Sequence, residues 1–287
     1  MIVWGGANVA LFEEVYGDGA AYDPLMKRWA RLPSAPLSPR VYHSAVWTGK
    51  EMLIWGGGVI AEPGEETATQ LVPAGTLFDD GAAYDPATER WTPLPTAPIK
   101  GRSGQVAIWT GTEMILWGGA GIGETTIAFN DGAAFDPATQ QWRLIQDAPL
   151  PKGTAYTAVW TGSQMLVYGG PRGRAAAYDP AADEWTKVSR PPFAALVLPV
   201  SVWTGRVMLV WGGEGSTSGD LNTARGIGAA YDPAGDAWTM LPNAPGATGL
   251  GQTAVWTRRE MLVWGGLPGT GPFRRGVEYR PSPALLP

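Results

Sequence analysis

Short apolar runs pair off along this chain, each pair separated by a polar turn. Ser44-Ala45-Val46-Trp47 and Glu51-Met52-Leu53-Ile54-Trp55 flank Thr48-Gly49-Lys50. Two apolar runs joined by a glycine-containing turn predict a β-hairpin. A third run, Gly81-Ala82-Ala83-Tyr84, stops at Asp85-Pro86, and Ala87-Thr88-Glu89 makes the bend. Proline cannot donate to a strand ladder, so the third strand ends there and a fourth begins near Trp91. Leu94-Pro95-Thr96-Ala97-Pro98 closes the fourth. The pattern predicts four short antiparallel strands, and it recurs.

The recurrence keeps a constant register. Gly-Gly follows an apolar strand at Gly5-Gly6, Gly56-Gly57, Gly118-Gly119, Gly169-Gly170, Gly212-Gly213 and Gly265-Gly266, about 52 residues apart on average. Ala-Ala-(Tyr/Phe)-Asp-Pro runs through Tyr22, Tyr84, Phe135, Tyr178 and Tyr231, with a degenerate copy at Tyr279-Arg280-Pro281. Seven residues after the first five aromatics stand Trp29, Trp91, Trp142, Trp185 and Trp238. Eighteen further on stand Trp47, Trp109, Trp160, Trp203 and Trp256, and nine after these the first glycine of the next pair. All 15 tryptophans fall on repeat positions, Trp4, Trp55, Trp117, Trp211 and Trp264 among them. Fixed spacing favours packing between sheets over a stripe for stacking sugars. Four-stranded sheets repeated radially make a propeller, which leaves few exposed edges.

A double glycine after the second strand, an aromatic before Asp and a Trp opening the fourth strand resemble the kelch repeat, within the superfamily that includes the central domain of galactose oxidase. The resemblance spans residues 1–287 as one domain and implies a six-bladed, all-β propeller. The hallmark Tyr and Trp map onto Tyr22 and Trp29, Tyr84 and Trp91, Phe135 and Trp142, Tyr178 and Trp185, Tyr231 and Trp238. The ends depart from it. Blade one lacks a first strand, and blade six has Ser282-Pro283-Ala284-Leu285-Leu286-Pro287 in place of a Trp-bearing fourth strand.

Composition narrows the functions. Apolar residues are 45% and charged residues 16%, enough for a large core, and 40 Gly with 26 Pro suit a chain full of turns. The net charge of −5 and the lack of a Lys/Arg stripe argue against nucleic acid. No apolar run approaches the roughly 18 residues that span a bilayer. The chain opens inside a repeat, at Met1-Ile2-Val3-Trp4-Gly5-Gly6, with no signal peptide, and leaves the compartment open, secreted or periplasmic included. With no Cys and a single His, disulfides, thiolate metal sites and copper-radical chemistry on a Cys-linked Tyr are excluded on inventory. No cofactor motif is present; the glycine pairs lack the Lys of a phosphate loop.

Candidate chemistry collects on one face. The second-to-third loops vary widely in length, from Pro171–Arg174 to Gly58–Asp80, and they share a face with the fourth-to-first connections. The other turns repeat to a template. Variable loops on a rigid scaffold are where binding concentrates. Phe12, Phe78 and Phe129 lie in these loops. Glu and Asp crowd the first three loops, and arginines the last three. Asp18, Asp80 and Asp131 each precede Gly, a routine turn pair, and their spacing by whole blades argues against a shared cation. Ahead of the first strands stand Arg40, Arg102 and Lys152, then His43, Gln105, Tyr156 and Gln252, one per blade. In ligand-binding kelch domains arginines just before the first strand contact the ligand, and Arg40 and Arg102 match approximately; bonding of loop carbonyls is the alternative. The expectation is a non-catalytic scaffold binding a protein, peptide or glycan. The competing expectation is a carbohydrate-active enzyme of sialic-acid-mutarotase type at the pore mouth, needing only a positioned acid and base.

Overall fold

The computed structural model describes residues 1–8, 14–59, 76–121, 127–193, 196–214, 226–242, 250–267 and 276–286. They form two compact units, Met1–Ile145 and Gln146–Pro287. Each holds three successive sheets, and the described strands pair in antiparallel order.

In the first unit, sheet one is β1 (Ile2–Ala7), β2 (Val15–Asp23) and β3 (Arg28–Arg31). Sheet two is β4 (Ser44–Trp47), β5 (Met52–Trp55), β6 (Gly81–Asp85) and β7 (Arg90–Pro93). Sheet three has β8 (Val106–Trp109) and β9 (Met114–Trp117), then a two-residue hairpin of β10 (Ala120–Gly121) and β11 (Ile127–Ala128) inside the loop. It ends with β12 (Gly132–Asp136) and β13 (Gln141–Ile145). In the second unit, sheet four is β14 (Tyr156–Trp160), β15 (Met165–Gly169), β16 (Arg174–Asp179) and β17 (Glu184–Lys187). Sheet five is β18 (Leu196–Trp203), β19 (Met208–Glu214), β20 (Gly226–Asp232) and β21 (Ala237–Met240). Sheet six is β22 (Leu250–Trp256), β23 (Met261–Leu267) and β24 (Val277–Tyr279), followed by a 3-10 turn at Pro283–Leu285. Among the described residues four blades have four strands, and the first and last have three, as the sequence pattern anticipates.

The constant distances have a geometric origin. Seven residues separate aromatic and Trp because they face each other across a hairpin: Tyr84 pairs with Trp91, and Phe135 with Trp142. Their ring centroids lie 4.9 Å apart in both. The Trp then reaches the preceding sheet. Trp91 Nε1 donates to the Pro33 carbonyl at 3.0 Å and Trp142 Nε1 to Pro95 at 2.9 Å. In the second unit Trp185 and Trp238 donate to Gln146 and Ser189. Within each unit, sheets two, three and five are therefore stitched to the chain leaving the sheet before them at a fixed place.

The second strands of sheets two to five are buried on both faces, which accounts for runs such as Met52-Leu53-Ile54-Trp55, whereas Val3 in sheet one and Leu262 and Trp264 in sheet six are exposed. Met52 and Ile54 pack with Trp4 and Leu32 of sheet one, while Leu53 and Trp55 pack with Met114, Leu116 and Phe135 of sheet three. In the second unit, Met208 and Val210 meet Leu166 and Tyr168, and Leu209 and Trp211 meet Met261 and Val263. The wedge between neighbouring sheets within each unit is apolar and rich in aromatics. None of the described helical turns is long and apolar enough to cross a membrane.

Candidate binding face

The second-to-third loops of sheets two and three are tied down by two matching nodes. Arg40, in the connection entering sheet two, is fully buried. Its Nε donates to the Ser38 carbonyl at 2.9 Å, and Nη1 to the Gly56 carbonyl at 3.2 Å. Nη1 and Nη2 fork onto the Asp80 carboxylate at 2.6 and 3.3 Å. The Phe78 ring lies under the guanidinium, 4.1 Å from Cζ to the centroid. Arg102 repeats this in sheet three, donating to Lys100, Gly118 and both oxygens of Asp131, with Phe129 at 4.2 Å. A bidentate fork with a stacked aromatic is a strong, directional arrangement for Arg.

The backbone supports the nodes. Phe78 N–H donates to the Gly57 carbonyl and Phe129 N–H to Gly119, both at 2.9 Å. Gly57 sits at φ +84°, and a Cβ there would stand 2.6 Å from the Val41 carbonyl oxygen. Only glycine lets the entering connection pass so close.

The two arginines thus bond loop carbonyls and carboxylates, the alternative weighed from the sequence. Neither guanidinium has exposed surface. What each node holds toward solvent is a carboxylate: the Asp80 side chain is 50% exposed and Asp131 39%. Phe78 and Phe129 are half-buried beneath. Phe12 lies outside the described residues.

His43 and Gln105 fill equivalent positions. Gln105 Nε2 donates to the Trp55 carbonyl at 3.1 Å, behind Gly56 of the preceding sheet. His43 packs edge-on to Trp4, centroids 5.4 Å apart, behind Gly5. Burial, and then the positive charge of Arg40, lowers its pKa to about 4, against a smaller opposing effect from the Arg40 carbonyl. It is a neutral spacer near pH 7. The structure brings Arg40, His43 and Phe78 together around one connection, and Arg102, Gln105 and Phe129 around the next.

In the second unit, Tyr156 is buried with its hydroxyl donating to the Pro151 carbonyl at 2.6 Å, and burial raises its pKa to about 12. Gln252 is buried, and its Oε1 finds no hydrogen-bond partner among the described residues. Lys152 is exposed.

Some of the rim charges fall among the described residues. Glu14, Asp18, Asp79 and Asp80 are exposed in the first unit, with Asp18 paired to Arg31 at 2.9 Å. Arg172 and Lys152 are exposed in the second. Among the described residues no three His, Cys, Asp or Glu side chains gather in a way that could hold a metal ion. The sequence reading missed that Asp80 and Asp131 belong with Arg40 and Arg102. The signal was there: Phe two residues before the Asp occurs only in the two loops whose preceding connection carries the Arg.

The chain is similar to known proteins. Residues 29% identical over 143 positions relate the chain to the Kelch-like protein terF of Aspergillus terreus, covering 47% of this chain and 29% of that protein. A match of 22% over 183 positions relates it to N-acetylneuraminate epimerase of Haemophilus influenzae, covering 55% of this chain and 49% of that one. The chain therefore spans less than half the length of each of these relatives. The family model for the KLHDC2/KLHL20/DRC7 Kelch-repeats domain matches residues 1–192. With four-stranded blades, paired aromatics and double glycines in place, the chain belongs to the kelch-repeat family, an all-β, six-bladed propeller fold.

Proposed function

We propose that this chain is a non-catalytic scaffold that binds a protein or peptide through its variable-loop face. Kelch propellers generally bind proteins. The observation that carries the reading is the pair of Arg–Phe–Asp nodes. Long loops ordinarily lose entropy on docking; loops pinned at their bases by buried guanidiniums lose less. Asp80 and Asp131 then offer carboxylates already fixed in direction.

The test compares capture by three immobilised proteins: wild type, a loop-face variant Asp79→Lys/Glu14→Lys, and a template-face variant Thr88→Lys/Ser163→Lys. Both doubles change exposed side chains, so each should melt as wild type does. Proteins held by wild type and the template-face variant, and lost from the loop-face variant, support the reading. Equal capture by all three overturns it.

The match to the epimerase favours one rival, action on a sialic acid. That chemistry needs a general acid and base within reach of a sugar, and His43 instead faces Trp4 and Arg40. Incubating N-acetylneuraminate with the protein and following its anomers by NMR separates the readings. Interconversion no faster than in buffer is expected; acceleration abolished by His43→Gln would favour the enzyme.

A further inference from the structure

On the template face of the first unit, a cleft of about 470 Å³ opens between sheets two and three. Glu51, Thr92 and Lys50 line one side, and Trp109, Asp136 and Gln140 the other. The next repeat explains the opening. Thr92 pairs across the strands with Ala83, and its counterpart Arg143 pairs with Ala134. Arg143 lies over its own sheet and forks onto Glu113, Nε to Oε1 at 2.9 Å and Nη2 to Oε2 at 2.7 Å. Glu113 and Glu51 hold the same position, directly before the second strand.

Sheet two thus keeps the carboxylate and replaces the guanidinium with a threonine. Among the described contacts, Glu51 pairs only with Lys50, at 3.2 Å, through an ammonium 74% exposed and shared with Asp85 at 3.9 Å. The Glu51 side chain itself is 25% exposed. A partly desolvated carboxylate with one solvated point charge beside it has an unused fork. Trp109 presents a partly buried indole at the edge of the core, and Asp136 adds a second carboxylate.

We propose that this cleft receives an arginine side chain from a partner polypeptide. The guanidinium forks onto Glu51 as Arg143 does onto Glu113, its plane lies against Trp109, and its stem runs over Ala83 and Thr92. Lysine fits less well, because it lacks the planar fork and stacks poorly. The site lies on the opposite face from the loop nodes and does not depend on them.

The probes are acetyl-Gly-Arg-Gly-amide and its lysine analogue, titrated against the whole chain by NMR with indole N–H shifts as the readout. Arginine peptide should bind roughly tenfold tighter than lysine peptide, the difference expected between a bidentate and a point-charge contact. Glu51→Gln should erase that preference. Thr92→Arg supplies the missing group from within the sheet; it should melt at or above the wild-type temperature and lose arginine-peptide binding. Retained binding by Thr92→Arg, or equal binding of the two peptides to wild type, overturns the proposal. Should Glu51→Gln fail to fold, Thr92→Arg alone decides.

Discussion

Several residues carry backbone strain that the repeat exposes by comparison. The template hairpins place Gly49, Gly111, Gly162 and Gly205 at φ between +97° and +107°, and each turn is closed by a Thr hydroxyl accepting backbone N–H bonds. The last blade puts Arg258 at that place, with φ +76°. An L side chain there clashes with its own backbone at about 1–2 kcal/mol. Arg258→Gly should therefore stabilise the chain by about 1 kcal/mol, after the entropy glycine loses on folding. A rise in melting temperature of roughly 2–4 °C is the expected result. His43 gives a pH signature. Unfolded, its imidazole takes a proton near pH 6.5; folded, only near 4. Between those values the unfolded state binds more protons, so stability rises with pH across this window and is lost as pH falls. The shift corresponds to about 3 kcal/mol by pH 4. Urea melts from pH 7 to 4.5 should show that slope in wild type and a shallower one in His43→Gln.

At the scale of elements, the strands were legible and the nodes were not. The distances of seven, eighteen and nine follow from hairpin register and from the tryptophan reaching its predecessor's carbonyl, both of which tolerate no insertion. Periodicity is a local signal, and the blade is built from local pairings. The link from Arg40 to Asp80 crosses 40 residues and a loop of variable length, so no fixed offset announces it. Matching residue types in two repeats were the only trace. The charge is asymmetric across each node, and this makes a contrast to measure. Asp80→Ala leaves a fully buried guanidinium without its counter-charge, whereas Arg40→Met leaves a half-exposed carboxylate in water. Removing the acid should be the costlier change, by about 3 kcal/mol against wild type, because the uncompensated charge is the one kept from solvent. Denaturant midpoints for the two variants decide it. Equal losses would mean that the node holds the loop by packing on Phe78 rather than by charge.

Across the molecule, charge is distributed unevenly in a way that no single loop reveals. Residues 1–145 sum to −7 and residues 146–287 to +2. Rim charges of this kind act mainly on encounter, raising the association rate through long-range attraction, while short-range contacts set how long a complex lasts. Attraction between exposed charges is screened beyond about 10 Å at 0.1 M salt. A partner captured through the acidic loops of the first unit should therefore associate more slowly as sodium chloride rises from about 0.05 to about 0.5 M, with a dissociation rate that hardly moves. Surface-plasmon traces of such a partner separate the two rates directly. The Arg–Asp nodes sharpen the expectation, since Asp80 and Asp131 are already neutralised by guanidiniums at short range. The long-range field then comes mainly from carboxylates such as Glu14 and Asp79, which are exposed and which no buried arginine holds among the described contacts. Asp79→Asn should flatten the salt dependence more than Asp131→Asn does, although Asp131 makes the bidentate contact with Arg102. A salt dependence carried chiefly by Asp131 would mean that its pairing with Arg102 leaves the long-range field of that carboxylate in place.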